Sequence, residues 1–427
     1  MTTMNNVKKA ELLAPAGDTE SLLSALDFGA DAVYLAGKTF GMRAGAKNFD
    51  SEELVTAVQT AHERGVKVYI TCNTVPLNGE IDVFPEYIAA AQQAGVDAVI
   101  AADIGIIAMT KEYAPGLEIH ASTQTGAVNY RTAAELYKMG VKRVVLAREV
   151  SLENIRVIRR NIPDDMDIEV FVHGAMCVSF SGRCLISEYL TGRNANRGEC
   201  AQPCRWGYYL MEEKRPGQFF KVFEDANGSY ILNSRDMCMI EHLDDLLDAG
   251  VYSLKIEGRA KSAYYTALTT NAYRAALDHV MKGEQPPEWV LDEVNKISHR
   301  PYCTGFFYGH PNEGSGSQDP NEITNGGQYF SDSGYIRDYD FVATVDYCEN
   351  GVMYLTTRNY FTLSDELEIL APKQEPIKFK PGKMFDDSGE EIDTARHAMR
   401  RITIPSDIVV PPHSLLRKRI GYATTFG

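Results

Sequence analysis

Four of the eight cysteines in this 427-residue chain crowd into one short stretch, Cys177, Cys184, Cys200 and Cys204, spaced Cys-x6-Cys-x15-Cys-x3-Cys. Four thiolates at that density can enclose a zinc ion tetrahedrally or hold the irons of an iron–sulfur cluster. Structural zinc favours tight Cys-x2–4-Cys knuckles at both ends, and only Cys200 and Cys204 form one. The spacing therefore leaves zinc, iron–sulfur and a set of unligated thiols open. Cys238 competes for the fourth ligand position, whereas Cys72, Cys303 and Cys348 read as small buried hydrophobes. Disulfides are not expected. The first residues carry no secretory signal, and the most apolar stretch, Ala98 to Met109, is too short to span a bilayer and holds Asp103. Both features point to the reducing cytoplasm, away from membranes.

A cluster of this kind needs a scaffold, and one signature recurs along the chain. An Ala-rich helical segment ends in glycine and a β-branched run follows at once, at Gly29, Gly65, Gly95, Gly140 and Gly250. Glycine accepts the left-handed conformation that closes a helix, and the next residues enter a buried strand. Repeated αβ junctions mean stacked βα units and a parallel sheet. With three further candidates the strands number eight, at about residues 11–14, 32–36, 67–71, 98–101, 118–121, 143–147, 167–172 and 253–256. Eight such units predict a closed TIM-like (β/α)8 barrel. An open doubly wound sheet is the alternative, disfavoured because no Gly-rich dinucleotide fingerprint follows the first strand. Gly37-Lys38-Thr39 lacks the leading glycine of a nucleotide loop. Asp50 and Ser151, each followed by early carboxylates, read as helix caps.

The pattern breaks between strands seven and eight, where about eighty residues intervene, far more than one helix needs. This insertion, about residues 174–250, carries the cysteines. Chain length already argues for two domains. The barrel is read as 1–312 and the Gly-Ser-rich segment 313–332 as a linker, with the boundary at Pro311 to Gly327. Residues 333–427 read as a small β-rich domain with a basic tail and strand candidates at 341–345, 352–357, 366–370 and 408–410.

In a barrel the C-terminal ends of the strands converge on the reactive face. Here they supply Asn73, Asp103, His120, Gln124, Arg148, Glu149, His173, Glu257 and Arg259, and Cys177 follows strand seven by a few residues. The cysteine insertion should overhang that face. A net charge of −15 argues against nucleic-acid binding by the whole surface. Two local patches remain. One holds Arg183, Arg193, Arg197 and Arg205 against Glu188 and Glu199, with Trp206, Tyr208 and Tyr209 available to stack on nucleotides. The other holds Arg396, Arg400, Arg401, Arg417, Lys418 and Arg419 against Asp407.

Proteolysis has little support. The chain contains no His-Glu-x-x-His and no Gly-x-Ser-x-Gly. Cys177 with His173 could form a thiol–imidazole pair, but a metal-bound thiolate is not a free nucleophile.

Glu169-Val-Phe171-Val-His-Gly174-Ala175-Met176-Cys177, with Gly182-Arg183-Cys184-Leu-Ile186-Ser187, resembles the signature of the collagenase-like peptidase family catalogued as U-thirty-two. So does the following run from Tyr189 through Gly192-Arg193, Asn196-Arg197-Gly198 and Cys200 to Cys204-Arg205-Trp206. Leu13-Ala14-Pro15-Ala16-Gly17 and Leu254-Lys255-Ile256-Glu257-Gly258-Arg259 extend the resemblance over nearly the whole chain. The likeness is to the branch of the family that hydroxylates tRNA; other relatives hydroxylate ribosomal RNA bases or quinone precursors. It implies a [4Fe–4S] cluster on Cys177, Cys184, Cys200 and Cys204, with structural zinc as the alternative. It further implies oxygen-independent, prephenate-dependent formation of 5-hydroxyuridine at the wobble position, with the tRNA anticodon loop as partner. In that setting Arg43, Arg148 and Arg259 are candidates to grip prephenate, because guanidinium forks match carboxylates. Glu257 or His173 would move the proton at uracil C5, and Arg205 and Trp206 would contact the nucleotide. An electron-transfer partner stays open.

Overall fold

The five junction glycines close their helices as their spacing predicts, each with φ between +71° and +102°. The computed structural model describes residues 9–42, 47–177, 179–206, 235–309 and 336–420, with four two-residue strand pieces between 210 and 229. Strands β1 (Glu11–Pro15), β2 (Ala32–Leu35), β3 (Lys67–Cys72), β4 (Ala98–Ala101), β5 (Glu118–Ala121), β6 (Arg143–Val145), β7 (Asp167–Ala175) and β8 (Ser253–Ile256) pair in parallel in that order. Strand β8 pairs with both β7 and β1, which closes the ring. The fold is a TIM-like barrel, and all eight strand candidates are strands.

The helices are α1 (Thr19–Asp27), α2 (Ser51–His62), α3 (Phe84–Gln93), α4 (Ile104–Tyr113), α5 (Tyr130–Lys138), α6 (Leu152–Arg160), α7 (Leu243–Asp248), α8 (Ala263–Val280) and α9 (Trp289–Val294). Asp50 and Glu53 form a full capping box at the start of α2, and the Ser151 hydroxyl accepts from the Asn154 N–H at the start of α6. The Asp50 side chain thereby satisfies the Glu52 and Glu53 amides, and Ser151 satisfies one. Among the described residues no helix is long and apolar enough to cross a membrane.

The lumen departs from an ordinary barrel core. Its apolar part comprises Leu13, Ala32, Tyr34, Tyr69, Ala98 and Ile100. Beside it lies a buried ionic network. Arg143 donates to Glu11 at 2.6 Å and to Glu169 at 3.2 Å, and Lys255 donates to Glu169 at 2.8 Å. Ser253 and Tyr69 add hydrogen bonds to Glu11 at 2.8 and 2.6 Å. Desolvating four charges is expensive, so such a network persists only when the charges balance and the polar atoms find partners. Arg143 and Lys255 face Glu11 and Glu169 here, and the carboxylate of buried Asp167 stands 3.6 Å from Arg143. Burial raises the Glu169 carboxyl, but Lys255 and Arg143 outweigh it and hold the pKa at about 2.

Residues 23–30, 262–299 and 335–427 form a second compact unit. Its sheet is antiparallel and contains β9 (Tyr339–Glu349), β10 (Val352–Thr357), β11 (Leu367–Leu370), β12 (Arg401–Pro405) and β13 (Leu415–Arg419). Val342, Val345, Met353, Leu355, Ile369, Ile402, Ile404 and Leu416 make its core. The predicted strand at 408–410 is absent: Pro411 and Pro412 follow it, and two neighbouring segments take its place. Arg401–Pro405 alternates isoleucines inward. Leu415–Arg419, read from sequence as a basic tail, is an inner strand paired with both β9 and β11. Arg417 is fully buried. Its guanidinium binds Glu293 at 2.9 Å and Glu368 at 2.8 Å, and Lys418 pairs with Asp365 at 3.2 Å. These two cations are structural and are not free to meet a polyanion. The candidate linker, 313–332, lies outside the described residues.

Candidate active site at the barrel mouth

Strand β7 runs three residues past its predicted end, and this extension is the root of the insertion. Ala175, Gly174 and His173 pair antiparallel with Asp236, Met237 and Cys238 of the short strand Asp236–Cys238, so the insertion leaves and re-enters the barrel side by side. Arg300, itself buried, secures the return strand with two bonds to Asp236, at 3.0 and 2.6 Å. Both guanidinium bonds end on Oδ1, while Oδ2 accepts from the Arg300 backbone N–H at 3.1 Å, so this buried, charge-assisted pair is fixed in orientation. His173 is buried at this root, its ring 5.4 Å from that of Tyr302, and Cys238 stands opposite it in register.

Arg148 joins three parts of the mouth. One nitrogen donates to the Ala175 carbonyl at 2.7 Å, another to Glu257 at 3.0 Å, and the guanidinium lies 4.0 Å from the Phe171 ring centroid. The loop after β6, the extension of β7 and the end of β8 therefore share one side chain. Glu257 and Arg148 are a candidate acid–base and guanidinium pair that the fold brings into direct contact.

Arg259 follows the end of β8 and is held within the barrel. It is buried, and its guanidinium donates to the Thr71 hydroxyl and the Met42 carbonyl. Its own carbonyl meets Gly17 so closely that a Cβ there would stand 2.0 Å from the oxygen. The two terminal motifs of the barrel, Leu13–Gly17 and Leu254–Arg259, thus meet where the ring closes, which explains why only glycine fits at 17. Arg43, Tyr208 and Tyr209 lie outside the described residues, as does the Arg205 side chain; Trp206 is exposed.

The cysteine segment is braced by its own polar side chains. Glu149 accepts from both the N–H (2.7 Å) and the hydroxyl (2.8 Å) of Ser181, which sits in the left-handed region at φ 45°. Asn196 brackets Cys184, accepting from its N–H and donating to its carbonyl, each at 3.2 Å. The Ser187 hydroxyl accepts from the Ala201 N–H at 3.0 Å. Between them runs the short helix Ile186–Thr191. All four cysteines are free thiols, Cys177 and Cys200 exposed, Cys184 and Cys204 half-buried. The donor set suits a thiolate-ligated centre in kind: four soft sulfurs on one segment at the barrel mouth. It is not gathered around one point, for among the described residues no three His, Cys, Asp or Glu side chains stand in a metal-holding group.

Beside this segment opens a cleft of about 830 Å³, with Val75, Leu77, Asp103, Arg183, Cys184 and Tyr189 in its walls. Tyr189 and Leu77 are 84% and 62% exposed. Arg197, at its edge, binds Glu80 at 2.8 Å and ties the insertion to the segment after β3. Sequence reasoning missed the lumen network beneath the mouth. Its signal was present, as single charges inside otherwise apolar strands: Glu11, Arg143, Glu169 and Lys255. His120 lies in the same lumen, fully buried, with neither ring nitrogen hydrogen-bonded among the described residues. Burial, together with nearby Arg143, lowers its pKa, against the pull of Glu118 and Glu169.

Comparison with known proteins covers both units. Peptidase family U32 matches residues 17–317, and the peptidase family U32 C-terminal domain matches residues 337–417. The chain is 36% identical over 417 residues to tRNA hydroxylation protein P1 of Bacillus subtilis, covering 96% of this chain and 95% of that protein. It is 34% identical over 458 residues to tRNA hydroxylation protein P of Escherichia coli, covering 97% and 98%. A protein named collagenase from Porphyromonas gingivalis is 34% identical over 317 residues, covering 71% of this chain and 75% of that one.

Proposed function

The chain belongs to peptidase family U32, and from that premise we propose that it is an RNA-modifying hydroxylase acting on tRNA rather than a protease. The finer reading is conversion of the wobble uridine to 5-hydroxyuridine, with prephenate as co-substrate and without dioxygen. The observation that carries it is the end-to-end match with two tRNA hydroxylation proteins, against a match to the collagenase that leaves out more than a quarter of this chain.

The mouth suits this task. A wobble base sits in a single-stranded loop, so extruding it costs at most a few kcal/mol. The cleft beside the cysteines offers Tyr189 and Leu77 as apolar faces and Arg183 as a phosphate partner. Glu257, oriented by Arg148, is the group assigned to hold and move the proton at uracil C5. His173 supports the root on which the insertion stands. Arg259, engaged within the barrel, positions the mouth, which leaves the co-substrate's carboxylates to Arg148 and Arg43. Cys177, Cys184, Cys200 and Cys204 are assigned to a [4Fe–4S] cluster, which supplies electron-transfer or Lewis-acid chemistry when bound. Anaerobically purified protein should contain iron and sulfide, and Cys177→Ser should lower both.

The reading is tested by incubating such protein with unmodified tRNA and prephenate. The expected product is 5-hydroxyuridine confined to tRNAs with a wobble uridine. Cleavage of gelatin with no change in the RNA would overturn the reading.

A further inference from the structure

The second unit carries a basic surface that the mouth does not use. Arg396, His397, Arg400 and Arg401 are all exposed, and among the described residues none of them is in an ion pair. Elsewhere in this chain, of net charge −15, exposed Lys9, Lys38, Lys138, Lys142 and Lys383 sit beside carboxylates. The half-buried Arg358 stands beside the turn, its guanidinium 3.4 Å from the Met399 sulfur.

The turn is held rigidly. The buried Thr357 hydroxyl donates to the His397 carbonyl at 2.7 Å and accepts from the Arg400 N–H at 2.9 Å. The Met399 N–H donates to the Thr357 carbonyl at 2.8 Å. Met399 stands at the tip with φ 60° and a side chain 66% exposed. A rigid, cationic turn loses little entropy on meeting an extended anion.

The turn forms one lip of a cleft of about 690 Å³ whose other lip is acidic, with Asp386, Asp387, Glu391 and Asp393. Asp386 is occupied by its own turn, accepting from Ser388 and from the Glu390 N–H, and Glu391 pairs with Lys383 at 3.2 Å. Glu391 alone of these four carboxylates is paired with a cation among the described residues, so the acidic lip keeps negative charge and repels a polyanion toward the basic side.

We infer that the turn 396–401 of the second unit is a docking site for the sugar–phosphate backbone of the tRNA. Spaced guanidinia with no carboxylate partners match spaced phosphates, and such contacts position an RNA without reading its sequence. The inference rests on tRNA being the substrate.

The test is filter binding of tRNA to the full-length protein across a salt series. The variant Arg396→Gln/Arg400→Gln/Arg401→Gln should bind about tenfold more weakly, with the slope of log affinity against log salt reduced by about two. An unchanged melting temperature establishes that it folds. Lys378→Glu/Lys380→Glu, at the far edge of the same sheet order, should leave the slope nearly unchanged. A triple variant with wild-type affinity and slope, beside a wild type that binds, overturns the docking site and leaves the proposed activity standing. A wild type that binds no tRNA overturns both. Arginine-dependent binding to phosphatidylserine vesicles but not to tRNA also overturns it.

Discussion

Arg148 is the residue on which the mouth turns, because it alone links Glu257, the Ala175 carbonyl and the Phe171 ring. Lysine at this position keeps the charge but loses the fork. Arg148→Lys should cut 5-hydroxyuridine formation at least tenfold while melting like the wild type, and Glu257→Gln should cut it by about 100-fold or more, as removal of a proton-transfer group does. Both are read by nucleoside mass spectrometry beside circular dichroism; full activity of Glu257→Gln would remove it from the mechanism. Below the mouth, Glu169 has a folded pKa of about 2 against an ordinary value of 4.5, burial opposing and Lys255 and Arg143 prevailing. A depressed carboxylate stabilises the fold fully above the unfolded pKa and loses that contribution as pH falls through the folded one. Acid unfolding should therefore steepen below about pH 4.5. Lys255→Met should move the acid midpoint upward, and an unmoved midpoint would show the pair to be inert.

At the scale of elements, the barrel was legible because its signals are local. A glycine ending a helix and a β-branched run entering a strand lie within a few residues of each other, and all five such junctions are real. The cysteine insertion was legible from its spacing and length. Its root was not: pairing of Ala175 with Asp236 spans the whole insertion, and no local pattern announces a partner that distant. The surroundings of Arg259 were illegible for the same reason. Its partners, Thr71 and the Met42 carbonyl, come from another part of the ring. Strand β13 was misread because Arg417, Lys418 and Arg419 look like a solvated tail; burial of Arg417 depends on Glu293 and Glu368, both remote in sequence. The brace from Glu149 to Ser181 has its own consequence. Glu149→Ala should free the left-handed turn, and Cys177 and Cys184 should then react faster with a thiol reagent in metal-free protein. Unchanged labelling rates would show that the brace does not order the segment.

At the scale of the whole molecule, each unit depends on a buried ionic knot of its own. In the second unit Arg417 is fully buried between Glu293 and Glu368. Removing one partner of a buried pair costs about 3–5 kcal/mol, so Arg417→Ala should lower the denaturation midpoint markedly. An unaffected midpoint would show that water replaces the guanidinium. Truncation after Pro405 would remove β13 and with it pairing to both β9 and β11, so it disrupts the sheet and cannot serve as a clean test of RNA affinity. The central claim concerns the function that the barrel, its cysteine insertion and the β-rich unit together serve. Its most direct test is mass spectrometry of tRNA nucleosides from a strain lacking this gene and carrying no second enzyme for the same modification. 5-Hydroxyuridine and its derivatives should vanish, return with the wild-type gene, and stay absent with Cys177→Ser. Undiminished 5-hydroxyuridine in the deletion strain would contradict it.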